Sequence, residues 1–442
     1  MSFDLRRETI TLLFAGALVA NASGFASAAP KVYVGNFKDN TVSVVDMAMG
    51  KVVATIPIAA GPHGMTITRN GRWVYVAGDG SSQVSLIDTG TDKVVQTIDV
   101  GKSPHGLTLT PDGKRLLVAV NGEDRIAFVD TAKHQVVGSV PVAKPHTVAI
   151  RPDGKVAYVS SQQPGSFALV VIDLSKQAVT RTIPLDKAPR DVEFGFQGKA
   201  LYYTVAGQDA IEVLNPATNK VVAEIPTGVS PHYVNWFAHT AFGLAVVQGP
   251  GVLQMFDPKK NVALGTIAVG KQPHWMTVSG DGKTAFVTNE GSNDLSIVDL
   301  ATKKVETIAV GNAPRKVVVQ SAAAGHAGNV SITNFAFAPG TITIKAGDSV
   351  TWTNNDGAPH TVTFKDGSVK SDSLLPGRTF SHVFEQPGAY DYYCSFHEFM
   401  TGRIIVQAKE ASNRASGAVK PRSLQSAFRN RAPSGIDRAP SA

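Results

Sequence analysis

The sequence predicts an all-β protein of two domains, a seven-bladed β-propeller followed by a Greek-key β-sandwich. Three observations predict it. The chain of 442 residues is longer than one domain usually runs. Its usage is strand-like, rich in Val, Thr, Ile, Gly and Pro, with no long stretch in which apolar residues recur at helical spacing. Residues 31–320 repeat themselves at a period of about 42 residues, the mark of an array or propeller.

Residues 1–28 have the layout of a secretory signal peptide. Arg6 and Arg7 precede an apolar run from Ile10 to Ala20, and small residues lead to Ala26-Ser27-Ala28, where cleavage is expected near Ala28. The apolar run falls short of the roughly 20 residues that a spanning helix needs. The mature chain is therefore expected to be periplasmic or secreted, with no transmembrane segment. The Arg pair leaves Sec and twin-arginine export both open. Exported proteins often carry disulfides, yet the single cysteine, Cys394, cannot form one within the chain. A ligand role explains the lone thiol better.

The repeats of residues 31–320 begin near Lys31, Trp73, Arg115, Val156, Ala200, Phe242 and Thr284. Each holds four short alternating or apolar runs, such as WVYVAG, QVSLID, KVVQTIDV and HGLTLT, separated by turn residues. The turn before a new unit is usually Asn-Gly or Asp-Gly, as at Asn70-Gly71, Asp112-Gly113, Asp153-Gly154 and Asp281-Gly282, where the backbone needs a positive φ. The fifth unit breaks this rule at Phe237 to Ala241. Four strands repeated seven times read as a propeller, in which radial closure protects strand edges. The last run, Arg315 to Gln320, has no partner inside its own unit and is expected to pair with the first strand, latching the ring. The units resemble the YVTN family of propellers, through VYVGN, VYVAG, AYVSS and FVTNEG. That resemblance implies the fold and leaves function open.

Aligned, the units place a residue after proline at the start of the strand expected nearest the axis: His63, His105, His146, Arg190, His232, His274 and Arg315. Five imidazoles and two guanidinium groups are thus expected around one mouth of the channel. They suit a second metal site, a small-anion site, or a turn in which each imidazole bonds neighbouring backbone. A histidine-bearing seven-bladed propeller resembles that of nitrous oxide reductase, which binds a copper cluster and is joined to a second domain whose dinuclear copper site uses two cysteines, where this chain has one. His134 and His239 read as turn residues.

Residues 321–329, SAAAGHAGN, read as a linker with His326 exposed. Residues 330–407 contain about seven short strand runs, the pattern of a Greek-key sandwich. Within them Cys394, His397 and Met400 crowd one loop. Thiolate, imidazole and thioether form a soft donor set, which with a second histidine suits trigonal copper with a weak axial methionine. The stretch YDYYCSFHEFMTG, with Trp352, Asn354 and His360 upstream, resembles the cupredoxins, and amicyanin most closely. The resemblance implies one type 1 copper held by His360, Cys394, His397 and Met400. It also implies that the Asn354 amide steadies the cysteine sulfur, and Phe396, which stands where relatives have proline, is expected to offer a second amide. His382 has no matching role.

Residues 408–442 read as a disordered basic tail. Seven basic residues there face only Glu410 and Asp437, so five of the seven net positive charges sit outside the folded part. The domains themselves are nearly neutral, which excludes a nucleic-acid surface. No catalytic triad, phosphate loop or nucleotide fingerprint stands out. The first reading is an exported blue-copper electron-transfer protein with the propeller as docking or scaffold module. Its redox partner, of cytochrome or dehydrogenase type, is expected to dock on the apolar surface near His397. The alternatives are a copper oxidoreductase with a second site at the propeller mouth, and copper sequestration or delivery.

Overall fold

The computed structural model describes residues 31–195, 198–237, 240–320 and 325–408, without the side chains of 325–327. The signal peptide, most of the basic tail, His239 and the His326 side chain lie outside the described residues. Apart from 3-10 turns at Asn121–Glu123 and at Gly198, every regular element among them is a strand. No described helix is long and apolar enough to cross a membrane.

Seven four-stranded antiparallel sheets form the propeller blades. Their innermost strands are Pro62–Ile67, Pro104–Leu109, Pro145–Ile150, Pro189–Phe194, Pro231–Asn235, Pro273–Val278 and Pro314–Val319. The next strand outward is buried on both faces, as in Trp73–Gly78 and Arg115–Val120, which explains their near-continuous apolar runs. The fourth strand of each blade is mostly exposed, with one residue near its end turned inward in most blades. The expected turns hold: Gly71, Gly113, Gly154 and Gly282 all have φ near +70°.

The ring closes as the sequence predicts. Pro314–Val319 pairs antiparallel with Lys31–Asn36, matching Val319 to Val32 and Val317 to Val34. Beyond the ladder, Gln320 N donates to the Lys31 carbonyl at 2.8 Å and Asn312 caps Asp39 through its amide at 2.7 Å. The two ends of a unit about 290 residues long are thus joined by one strand pairing.

The register of each innermost strand shifts just after its proline, for example between Pro62 and Met65 and between Pro273 and Trp275. Such a bulge re-aims a side chain out of the ladder. It occurs at all seven positions where the sequence places a histidine or arginine.

The C-terminal domain stacks two four-stranded sheets. One orders Ala336–Ala338, Gly325–Thr333, Asp348–Asn354 and Thr379–Phe384; the other orders Thr341–Lys345, His397–Gln407, Gly388–Cys394 and Thr363–Phe364. Gly325–Thr333 begins inside the stretch expected as linker, because its backbone pairs in parallel with Asp348–Asn354 despite small side chains. Trp352, Phe364, Phe384 and Tyr392 fill the space between the sheets. Gly402 faces the Tyr392 ring so closely that a Cβ there would collide with it.

Candidate metal centre and the propeller axis

The expected ligand loop is a tight hairpin. Cys394 ends one strand, His397 begins the next, and the two stand opposite each other with only Ser395 and Phe396 between. Along the last strand Met400, Gly402, Ile404 and Val406 alternate inward. Met400 is therefore buried in the same core cluster as Cys394. His360 comes from the neighbouring loop. Its backbone exchanges hydrogen bonds with Leu374, with His360 N to Leu374 O at 3.1 Å and the reverse bond at 2.7 Å.

The three donors converge. Cys394 Sγ lies 3.7 Å from His360 Nδ1 and 3.6 Å from His397 Nδ1. A trigonal centre with bonds of about 2.0 Å to nitrogen and about 2.3 Å to sulfur sets those atoms about 3.7 Å apart, so the residues fit a metal without rearrangement. Among the described residues, His360, Cys394 and His397 are the one group of three or more His, Cys, Asp or Glu side chains whose donor atoms all lie within 4.8 Å of one another.

Three surrounding contacts differ from expectation. The amide on the cysteine sulfur belongs to Thr361, at 3.3 Å. Asn354 N instead donates to the Arg378 carbonyl at 2.9 Å, and its side chain bridges the carbonyls of Ala358 and Leu374 at 2.8 and 2.7 Å. Asn354 thus ties the His360 loop to its neighbour without touching sulfur. No hydrogen bond joins Phe396 to the sulfur among the described residues; the Phe396 ring is exposed. Thr361 Oγ1 accepts the Ser395 amide at 2.7 Å, which pins the hairpin turn to the His360 loop.

Two residues were missed. Asp356 Oδ2 lies 3.1 Å from His360 Nε2, and the same carboxylate accepts the amides of Asn334 at 2.6 Å and Phe335 at 2.9 Å. Burial alone would raise the Asp356 pKa, but the Phe335 and Asn334 amides and the His360 imidazole hold it below the usual range. Burial likewise pushes the His360 pKa down, against the pull of Asp356. Phe335, held by that carboxylate at φ +55°, sets its ring edge-on to His397 at 4.9 Å and to His360 at 5.5 Å. The Asp at i−4 from a ligand histidine was the readable signal.

On the propeller axis the five histidines gather in two stacks. Ring centroids are 3.8 Å apart for His63 and His105, 4.0 Å for His105 and His146, and 4.1 Å for His232 and His274. His105 and His274 direct Nδ1 at the backbone carbonyl of the next blade, at 3.2 Å from His146 O and 3.1 Å from Arg315 O. Burial lowers the pKa of all five, and neighbouring imidazoles and guanidinium groups add to it. Arg190 bonds Ser230 Oγ at 2.6 Å, while Arg315 pairs with Glu290 at 3.0 Å and covers the Phe37 ring.

The axis also holds a cavity of about 160 Å³ whose lining includes Asp191, Glu193, Tyr233, Trp275 and Lys316. Sequence reasoning missed these charges. Arg190 and Arg315 are each followed by one of them, and strand alternation turns such positions to the axis. Asp191 is 1 % exposed and its Oδ1 has no hydrogen-bond partner. Lys316 Nζ sits 2.8 Å above the Trp275 ring.

The sequence pattern of the plastocyanin/azurin family of copper-binding proteins matches residues 324–407. That of the YNCE-like beta-propellers matches residues 6–112 and 149–324, well over half of the chain. Amicyanin-alpha of Methylorubrum extorquens is 42 % identical over 94 residues, covering 20 % of this chain and 78 % of the relative. Chloroplastic plastocyanin of Tetradesmus obliquus is 43 % identical over 84 residues, 16 % of this chain and 58 % of that one. Amicyanin of Paracoccus versutus is 39 % identical over 71 residues, 15 % of this chain and 54 % of that one, so these last two are spanned over little more than half their length. Among solved structures, Kuenenia stuttgartiensis hydrazine synthase aligns with a TM-score of 0.56 at 20 % identity, covering 65 % of this chain and 99 % of that one. Apo AztD of Citrobacter koseri aligns at 0.51 and 16 %, covering 66 % and 97 %. At such identities the likeness is one of fold alone.

Proposed function

We propose, for a chain that belongs to the YNCE-like β-propeller family and ends in a domain of the plastocyanin/azurin copper-binding family, that it is an exported electron-transfer protein with one type 1 copper. The propeller is its docking or scaffold module. The observation that carries the reading is the placement of two imidazole Nδ1 atoms at 3.6 and 3.7 Å from the Cys394 sulfur, with Met400 buried beside it.

Bound copper supplies a one-electron couple. The chain's own residues hold His360, Cys394, His397 and Met400 in place, and four protein ligands leave no position for a substrate. The Thr361 amide stabilises the thiolate, Asp356 fixes the ring of His360, and Asn354 braces the loop. This bracing limits how far the ligands move when charge changes, which favours electron exchange over bond-making.

Phe335, Phe396 and Phe399 are exposed around His397. This apolar rim supports docking of a redox partner, of cytochrome or dehydrogenase type, through a small and transient interface. Export rests on the N-terminal sequence pattern.

Copper analysis with an optical spectrum tests the reading. One copper at the Cys394 site and an intense visible thiolate-to-copper band are expected, and Cys394→Ala removes both. A colourless copper complex, or a band that survives Cys394→Ala, overturns it.

A further inference from the structure

The propeller mouth carries a second donor arrangement, built without any residue of the C-terminal domain. His274 is 4 % exposed, and its Nδ1 lies 3.1 Å from the Arg315 carbonyl. A carbonyl only accepts, so Nδ1 carries the ring proton and the neutral imidazole presents a bare lone pair at Nε2. Burial, with the charges of neighbouring groups, keeps this ring neutral. Nε2 faces Glu290 Oε2 across 3.8 Å. Two acceptors therefore oppose each other with no hydrogen between them.

That spacing suits a cation. A metal bonded at about 2.0–2.2 Å to an imidazole nitrogen and to a carboxylate oxygen spans 3.8 Å with a bent angle. Glu290 is already oriented for it: Oε1 accepts Nε and Nη2 of Arg315 at 3.2 and 3.0 Å, which leaves Oε2 for the ion. The same pairing offsets the Arg315 charge that would otherwise oppose a cation. Two neighbours offer a further imidazole. The His63 ring centroid lies 5.5 Å from that of His274 and nearly perpendicular to it, and the His232 ring lies tilted at 4.1 Å. Among the described residues no third such donor lies within 4.8 Å of both atoms, so one of these rings rotates inward on binding. An anion is disfavoured, because His105 and His274 turn lone pairs, not N–H groups, away from the backbone.

We propose that His274 and Glu290, with His63 or His232, hold a divalent first-row transition-metal ion, zinc or copper(II), at the mouth of the propeller. Imidazole and carboxylate donors suit both ions, and two or three protein ligands leave coordination positions open towards the channel. The site does not depend on the copper reading of the C-terminal domain.

The test is calorimetric titration of full-length, copper-loaded protein with Zn²⁺, together with zinc X-ray absorption. One zinc per chain is expected, bound through nitrogen and oxygen only. Glu290→Gln, a nearly isosteric change at a part-exposed side chain, is expected to weaken binding at least about 10-fold, and His274→Ala at least as much. An unchanged unfolding midpoint of the propeller in Glu290→Gln, followed by tryptophan fluorescence, separates lost ligation from lost folding. Absence of zinc binding, sulfur in the zinc shell, or an affinity unmoved by Glu290→Gln overturns the proposal.

Discussion

The carboxylate of Asp356 lies 3.1 Å from His360 Nε2 while it also accepts the amides of Asn334 and Phe335. One side chain thereby fixes a ligand ring and seats the phenyl that flanks both histidines. A carboxylate behind a ligating imidazole raises the basicity of that ring and favours the higher metal charge. Asp356→Ala is expected to raise the reduction potential by some tens of millivolts, since a hydrogen-bond contribution of about 1.4 kcal/mol corresponds to about 59 mV for one electron. Asp356→Asn keeps a bonding partner and is expected to shift it less. Redox titration of both variants checks the order, and equal shifts would remove the carboxylate charge from the account.

Thr361 meets the site through its amide on the cysteine sulfur at 3.3 Å, through Oγ1 on the Ser395 amide at 2.7 Å, and through a long Oγ1 contact to the sulfur at 3.9 Å. Thr361→Ala keeps the first and loses the other two, of which the bond to Ser395 is the short one. It is expected to cost about 1–2 kcal/mol in stability while the visible band stays in place. Denaturant unfolding followed at that band measures the loss. A marked band shift with stability unchanged would mean that the hydroxyl acts on the sulfur and not on the hairpin.

The ligand set was legible because Cys394, His397 and Met400 lie within one hairpin, where spacing in sequence is spacing in space. Most of their supports were not, because Thr361, Asp356 and Phe335 arrive from loops between other strands, and Phe335 meets the ligands only after the sheets stack. The propeller repeats the lesson. A histidine or arginine follows the proline in every unit, but Glu290 follows a different strand and reaches His274 only through blade geometry. The latch was readable because Arg315 to Gln320 had no partner of its own. The early start of Gly325–Thr333 was not, since backbone pairing to Asp348–Asn354 makes that strand without an apolar pattern.

Closure of the ring depends on Val317, which is 1 % exposed and pairs with Val34. Val317→Asp places an unpaired carboxylate in that seam and is expected to cost more than about 3 kcal/mol. Tryptophan fluorescence in guanidinium should report a large fall in the propeller midpoint. The copper domain has its own core, so its visible band should persist to the same denaturant concentration as in the parent. Loss of both signals together would mean that the two units fold as one.

The axial cavity gives stability an unusual pH profile. Burial raises the Glu193 pKa to about 7, against the pull of Lys316, and lowers that of Lys316 to about 7, against Glu193 and Asp191. Between the ordinary glutamate pKa and 7, the folded chain holds a proton at Glu193 that the unfolded chain releases, so the Glu193 contribution to stability falls as pH rises, by up to about 1.4 kcal/mol per unit. Between 7 and the ordinary lysine pKa, the unfolded chain holds the extra proton at Lys316, so stability rises with pH. The pair therefore contributes a minimum near pH 7. Lys316→Met removes the rising limb and also the positive charge that favours the ionised Glu193 and Asp191, so the fall should continue above pH 7. Guanidinium unfolding at pH 5, 7 and 9 separates the two proteins: the parent minus variant difference should grow from pH 7 to 9, and a constant difference would take Lys316 out of the profile.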